Sequence, residues 1–184
     1  MRIGRLVLLL LTATAALAAE VAGVKLDDKA SVGGKDLVLN GAGVRSRAIF
    51  KVYVAGLYVP EKTSDAASVL KAPARRVQLV LLRTLSASQL VEALDDGVKA
   101  NNSDAELAAV KSQMAELATI MSGFREVREG DVITLDYADG STRVALNGDA
   151  KGTIAGEAFN RALLKVWLGE RPVQADLKKA MLGG

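Results

Sequence analysis

The stretch Leu37–Pro60, LVLNGAGVRSRAIFKVYVAGLYVP, decides how the rest of the chain is read. It joins two extended segments rich in Val, Leu, Ile, Tyr and Phe, side chains that fit a pleated, half-buried surface. Among them stand Arg45, Arg47, Tyr53 and Tyr58. Arginine is rarely buried without a partner, so Arg45 and Arg47 lie either at a solvated edge or against something anionic. Gly41, Gly43 and Gly56 weaken a strand unless each marks a bulge or a close approach by another group, and a ligand is one such group. From Arg45 to Val59, period-two alternation puts Phe50, Val52, Val54, Gly56 and Tyr58 on one face. Arg45, Arg47, Lys51 and Tyr53 fall on the other.

Upstream, the chain opens with Arg2 and Arg5, the apolar run Leu6–Leu11, and small residues ending Ala16-Leu17-Ala18-Ala19. A basic start, a short apolar run and an Ala-x-Ala site predict a signal peptide over 1–18, cleaved near Ala18, and a periplasmic or secreted protein. The run falls short of the ~20 apolar residues of a membrane anchor, so no span is expected in the mature chain. Residues 19–184 then form one domain, long enough for a sizeable core.

The full chain has 24 Lys and Arg against 21 Asp and Glu, and loss of the leader removes two of the bases and no acid. A near-neutral chain without interleaved basic and aromatic residues lacks the footprint of a nucleic-acid binder. The sequence contains no Cys and no His. Disulfides, thiol nucleophiles, Ser-His-Asp triads and zinc or haem sites built on those residues are excluded, and no metal or cofactor is expected. Phosphate-cradling glycine motifs are also missing. Arg, Lys, Tyr, hydroxyls and carboxylates remain for chemistry.

Downstream, Thr63-Ser64-Asp65 caps a short helix carrying Ala66, Val69 and Leu70. Arg76–Arg83 is an apolar run bounded by charges, the pattern of a central strand. Ser86-x-x-Gln89 and Ser103-x-x-Glu106 have capping-box spacing and predict two helices. The second carries an apolar stripe of Leu107, Val110, Met114, Leu117, Met121 and Phe124, which packs on the domain's own sheet or serves a partner. Val132–Tyr137 and Thr142–Leu146 read as a hairpin across Asp139-Gly140, with another turn at Asn147-Gly148. A helix from Gly156 to Leu168 turns Phe159, Leu163, Val166 and Trp167 inward, and a short last helix carries Leu177, Met181 and Leu182. This order predicts an α+β fold with a largely antiparallel sheet backed by helices.

Three segments, GAGVR at 41–45, KVYVAGLYV at 51–59 and FNRALLKVWLGERPV at 159–173, resemble the chalcone isomerase-like superfamily, specifically its bacterial secreted branch. The resemblance covers essentially the whole mature chain. It implies an open-faced β-sandwich with a ligand cleft between sheet and helices. Plant members close a flavanone ring, plastid relatives bind fatty acids, and others are non-catalytic. In the fatty-acid-binding relatives, an Arg of GxGxR and a Tyr of the KVY segment hold the carboxylate, matching Arg45 and Tyr53. The plant isomerases have Thr at the second position and a Tyr and an Asn on the helix after the central strand, whereas Ser86–Gly97 has neither. Where the enzymes place Ser or Thr beside the substrate on the late helix, this chain has Asn160.

The resemblance therefore implies non-catalytic binding of a fatty acid or similar small amphipathic carboxylate, with Arg45, Tyr53 and Asn160 at the ligand. An alternative is an isomerase, a cofactor-free intramolecular lyase acting on a polyphenol-like substrate. In that reading the substrate's own phenolate attacks and the protein supplies a cation and an oriented apolar cleft. A third is a non-catalytic envelope protein that meets a partner through the Met114 and Met121 face, since Met suits adaptable surfaces; the sequence names no protein partner. One condition is geometric. Eight residues of continuous strand would separate Arg45 from Tyr53 by about 26 Å, and Ser46–Phe50 contains no Gly, Asn or Pro to signal a turn.

Overall fold

Residues 19–184 are described by a computed structural model; the expected leader and its cleavage site lie outside them. The strands are β1 (Ala19–Val21), β2 (Val24–Leu26), β3 (Lys29–Val32), β4 (Lys35–Arg47), β5 (Phe50–Val59), β6 (Ala74–Leu81), β7 (Leu85–Ser86), β8 (Glu126–Val127), β9 (Val132–Ala138), β10 (Ser141–Leu146) and β11 (Asp149–Ala155). The helices are α1 (Ala66–Lys71), α2 (Ala87–Asn101), α3 (Asp104–Ser122), α4 (Glu157–Leu168) and α5 (Ala175–Met181). Seven strands form an antiparallel sheet in the order β11-β10-β9-β6-β5-β4-β3, with β6 at its centre as its apolar run requires. The α+β architecture with helices backing an antiparallel sheet is as the sequence predicts.

The main core lies between the sheet and the helices. Tyr53, Leu57, Leu79, Ile133 and Val144 from the strands meet Leu94, Leu117, Phe159, Leu163 and Trp167. A smaller core covers the opposite face, where Leu26 of the β1–β2 hairpin packs with Leu37, Leu39, Val54 and Tyr58. Segment 19–36 contributes three short strands, β1 to β3, to this side of the molecule. Both helix capping boxes form as spaced: Ser86 with Gln89, and Ser103 with Glu106. Asp139 and Asn147 take positive φ beside Gly140 and Gly148, closing the β9–β10 and β10–β11 hairpins.

The run from Arg45 to Val59 is not one strand. It reverses at Ala48-Ile49, where Ala48 takes φ 53°, a conformation normally left to Gly or Asn. Arg47 then pairs with Phe50 and Arg45 with Tyr53. A register shift at this end brings Val52 to the helix side, while Val54 and Tyr58 join the smaller core. The glycines of this stretch are explained by protein, not by a ligand. A Cβ on Gly41 would lie 2.1 Å from the Ala180 carbonyl oxygen, and one on Gly43 would lie 2.8 Å from the Ala180 Cβ. α5 therefore sits directly on β4, and Arg45 is the next residue along the same helix-facing row.

Candidate functional site

The hairpin supplies what continuous-strand reasoning could not: Arg45 and Tyr53 stand directly opposite each other across β4 and β5. Directly opposed residues of an antiparallel pair share a face with Cβ atoms about 4.5–5.5 Å apart. Arg45 is half-buried and makes no ion pair with a carboxylate among the described residues. Its Nη1 donates instead to neutral oxygens, the Ser46 carbonyl and, at 3.4 Å, Gln174 Oε1.

Gln174, the residue before α5, also accepts from the Ser46 backbone N–H at 2.8 Å and donates to the Val44 carbonyl at 3.2 Å. β4 runs past the end of its partner β3 here, so one amide side chain satisfies the open strand edge. That clamp fixes the backbone on either side of Arg45.

Tyr53 is buried, and its hydroxyl accepts a 3.0 Å hydrogen bond from Trp167 Nε1 of α4. Burial pushes the phenol above its ordinary pKa, against the smaller opposing effects of the Trp167 bond and the Arg45 charge. At neutral pH the hydroxyl is therefore protonated, and with its lone pair engaged by the indole its own O–H remains a donor. Across the ladder, then, a guanidinium with no carboxylate partner among the described residues shares a face with a protonated phenol.

Asn160 does not join this pair. On α4 it lies seven residues, about 10 Å of helix, before Trp167. Its side chain is buried, accepting from Arg75 Nε at 2.7 Å and donating to Thr142 Oγ1 at 3.0 Å. Arg75 is itself buried, with its guanidinium 4.1 Å from the centre of the Tyr137 ring and its Nη1 on the Ala72 carbonyl. Burial lowers its pKa to about 10, and its Nη2 has no hydrogen-bond partner. Sequence reading missed this arginine because it treated Arg76 as the start of the strand. On the far side of the sheet, Arg76 grips the buried Asp136 with two bonds of 2.6 and 2.7 Å, and Arg143 adds a third contact at 3.3 Å. That network is structural.

Cavities border the helix layer among the described residues. A cleft of about 810 Å³ opens between α2 and α3, lined mainly by Val91, Leu94, Val98, Leu107, Met114, Leu117 and Met121, with two acids, Glu92 and Asp95, and two bases, Lys99 and Lys111, also on its wall. A water-sized space of about 10 Å³ lies among Arg75, Asn160, Leu163 and Trp167. Neither is bordered by Arg45 or Tyr53. Within the stripe on α3, Val110, Leu117 and Met121 are buried while Leu107 and Met114 are half-buried in the cleft wall. No group of three or more metal-ligating side chains occurs among the described residues.

Comparison with known proteins bears on this geometry. The model of the family described as chalcone isomerase-like matches residues 18–183. A search of curated proteins finds no match. Among solved structures, the crystal structure of a fatty-acid binding protein from Arabidopsis thaliana matches with a TM-score of 0.67 at 16% identity, covering 87% of this chain and 92% of that one. At that identity the likeness is one of fold.

Proposed function

The chain belongs to the chalcone isomerase-like family, and from that premise we propose that it binds, without catalysis, a fatty acid or a similar small amphipathic carboxylate. The observation that carries the proposal is the cross-strand pair: Arg45 has no carboxylate partner among the described residues and stands opposite a protonated, indole-anchored Tyr53. In this reading Arg45 takes the ligand carboxylate in a charge-assisted bond and the Tyr53 hydroxyl donates a second. The solved relative named for fatty-acid binding has the same fold. No observation favours ring closure, and α2 from Ala87 to Gly97 has neither a Tyr nor an Asn with which to orient a polyphenol.

The chain of the ligand goes to the cleft between α2 and α3, whose volume of about 810 Å³ falls within the ~300–1,000 Å³ of small-molecule pockets. Leu81, the ladder partner of Tyr53 on β6, is followed six residues later by the start of α2. Because Arg45 and Tyr53 do not border that cleft, this reading requires side chains between the pair and the cleft to shift on binding. Ten methylenes contribute on the order of 8 kcal/mol and each bond to the carboxylate about 1.5–3 kcal/mol. Against the ~4–15 kcal/mol lost on association, the chain dominates affinity and Arg45 fixes orientation. The place of action is the periplasm or the exterior, on the strength of the leader at 1–18; the N-terminus of the exported protein checks it.

Native mass spectrometry of gently purified protein is the first experiment, expected to show a co-purified acyl ligand. Titration with a long-chain fatty acid should show Arg45→Ala weakening binding about 10–150-fold, the equivalent of ~1.5–3 kcal/mol. Ala118→Trp, filling the cleft, should abolish uptake. Unchanged affinity in Arg45→Ala overturns the head-group role, and no acyl binding by the native chain overturns the function.

A further inference from the structure

Among the described residues, the large hydrophobic side chains left exposed are two neighbours, Ile49 at 88% and Phe50 at 54%. They form the tip of the β4–β5 hairpin. The other large hydrophobic side chains among the described residues are buried or half-buried. The residues around it are of one sign: Arg47 and Lys51 flank it in sequence, and the Arg83 guanidinium lies 4.8 Å from the centre of the Phe50 ring. None of these three cations is in an ion pair among the described residues. The pair Arg45 and Tyr53 stands two ladder pairs behind the closing pair Arg47 and Phe50 on the same hairpin.

The geometry points to this tip as a docking element for an anionic lipid surface, with Ile49 and Phe50 entering the acyl boundary and Arg47, Lys51 and Arg83 meeting the head groups. An apolar wedge ringed by cations is the chemistry that recognises such a surface, and neither half suffices alone. The choice of lipid over another apolar partner rests on reading Arg45 and Tyr53 as a head-group site, because docking by the tip brings that site to the membrane where a fatty acid would be taken up or delivered. Each cation near an anionic surface raises partition about fivefold, so three give a preference on the order of a hundredfold over a neutral surface. Added salt erases most of it.

Co-sedimentation of the mature chain with phosphatidylcholine vesicles, and with vesicles of equal parts phosphatidylcholine and phosphatidylglycerol, tests the inference. Binding to the mixed vesicles is expected, weakening with salt. The double variants Ile49→Ser/Phe50→Ser and Arg47→Glu/Lys51→Glu should each lose it at least tenfold while retaining the native far-UV spectrum and fatty-acid binding in solution. Equal binding to both vesicle types, no binding at low salt, or undiminished binding by the tip variant overturns it. So does native protein that self-associates through Ile49 and Phe50 and ignores vesicles. Because fatty-acid binding is read separately in solution, loss of vesicle binding alone leaves the proposed function standing, and loss of fatty-acid binding in the native chain removes that function first.

Discussion

Replacing Tyr53 by Phe removes one oxygen and probes both the packing and the chemistry of the candidate site. That oxygen accepts the Trp167 indole N–H at 3.0 Å, with both side chains buried. Deleting it strands a buried donor at a cost of about 1–3 kcal/mol. In a domain of this size each kcal/mol moves the midpoint by about 2–4 °C, so a loss in Tm of about 4–8 °C is expected for the middle of that range. Adding Trp167→Phe in a double-mutant cycle should return a coupling of about 1 kcal/mol, since the second change removes the stranded donor. Fatty-acid affinity should fall about 10-fold or more as the second donor to the carboxylate is lost. The corresponding methyl ester, which presents no anion, should be less affected. Because burial raises the phenol's pKa, this contribution should be constant across the neutral range, with no titration of Tyr53 visible in it. Thermal unfolding and isothermal titration calorimetry measure both parts. A Tyr53→Phe protein as stable as the native one, with unchanged affinity for the acid, would refute the reasoning.

Other parts of the structure make independent predictions. Asp136→Ala leaves Arg76 half-buried without its carboxylate and should destabilise by about 3–5 kcal/mol, read from denaturant unfolding. Gly41→Ala forces a Cβ against the Ala180 carbonyl and should lift α5 from β4, with a loss of about 1–3 kcal/mol by the same assay. Glu106 is drawn from an ordinary carboxylate value of 4.5 down to about 2 by the Lys165 ammonium and then by the Ser103 amide and hydroxyl. Its contribution is full above the unfolded-state value and is lost as pH falls from there to about 2. Glu106 is exposed, so the effect stays below about 1 kcal/mol, and Glu106→Gln should flatten stability against pH in that acid window.

Much of the fold could be read from local chemistry. The capping boxes at Ser86 and Ser103, the Asp139-Gly140 turn and the inward face of Phe159, Leu163, Val166 and Trp167 each follow from short-range rules and form as expected. The Ala48-Ile49 reversal could not be read that way, because Ala48 adopts a left-handed conformation that its side chain does not favour. Long-range pairing of Arg47 with Phe50 and Arg45 with Tyr53 overrides the local preference. The same limit hid the seat of α5 on Gly41 and Gly43, where the residues involved are far apart in sequence. At the candidate site, Arg45 and Tyr53 come from the family motifs and the hairpin brings them together. Gln174, which clamps the strand edge beside Arg45, carries no sequence signal, since an amide at a helix start reads as ordinary surface. Asn160 is bound into a buried network with Arg75 and Thr142 that no spacing rule reveals.

The central claim is that an unpaired guanidinium beside a neutral phenol receives a carboxylate. Carbon-13 NMR of a fatty acid labelled at its carboxyl, titrated with pH in complex with the native chain and with Arg45→Ala, addresses it most directly. The account predicts a carboxyl that stays ionised well below the usual carboxylate range in the native complex and returns toward it in the variant. Identical titrations in the two proteins, or no bound signal in either, would contradict it.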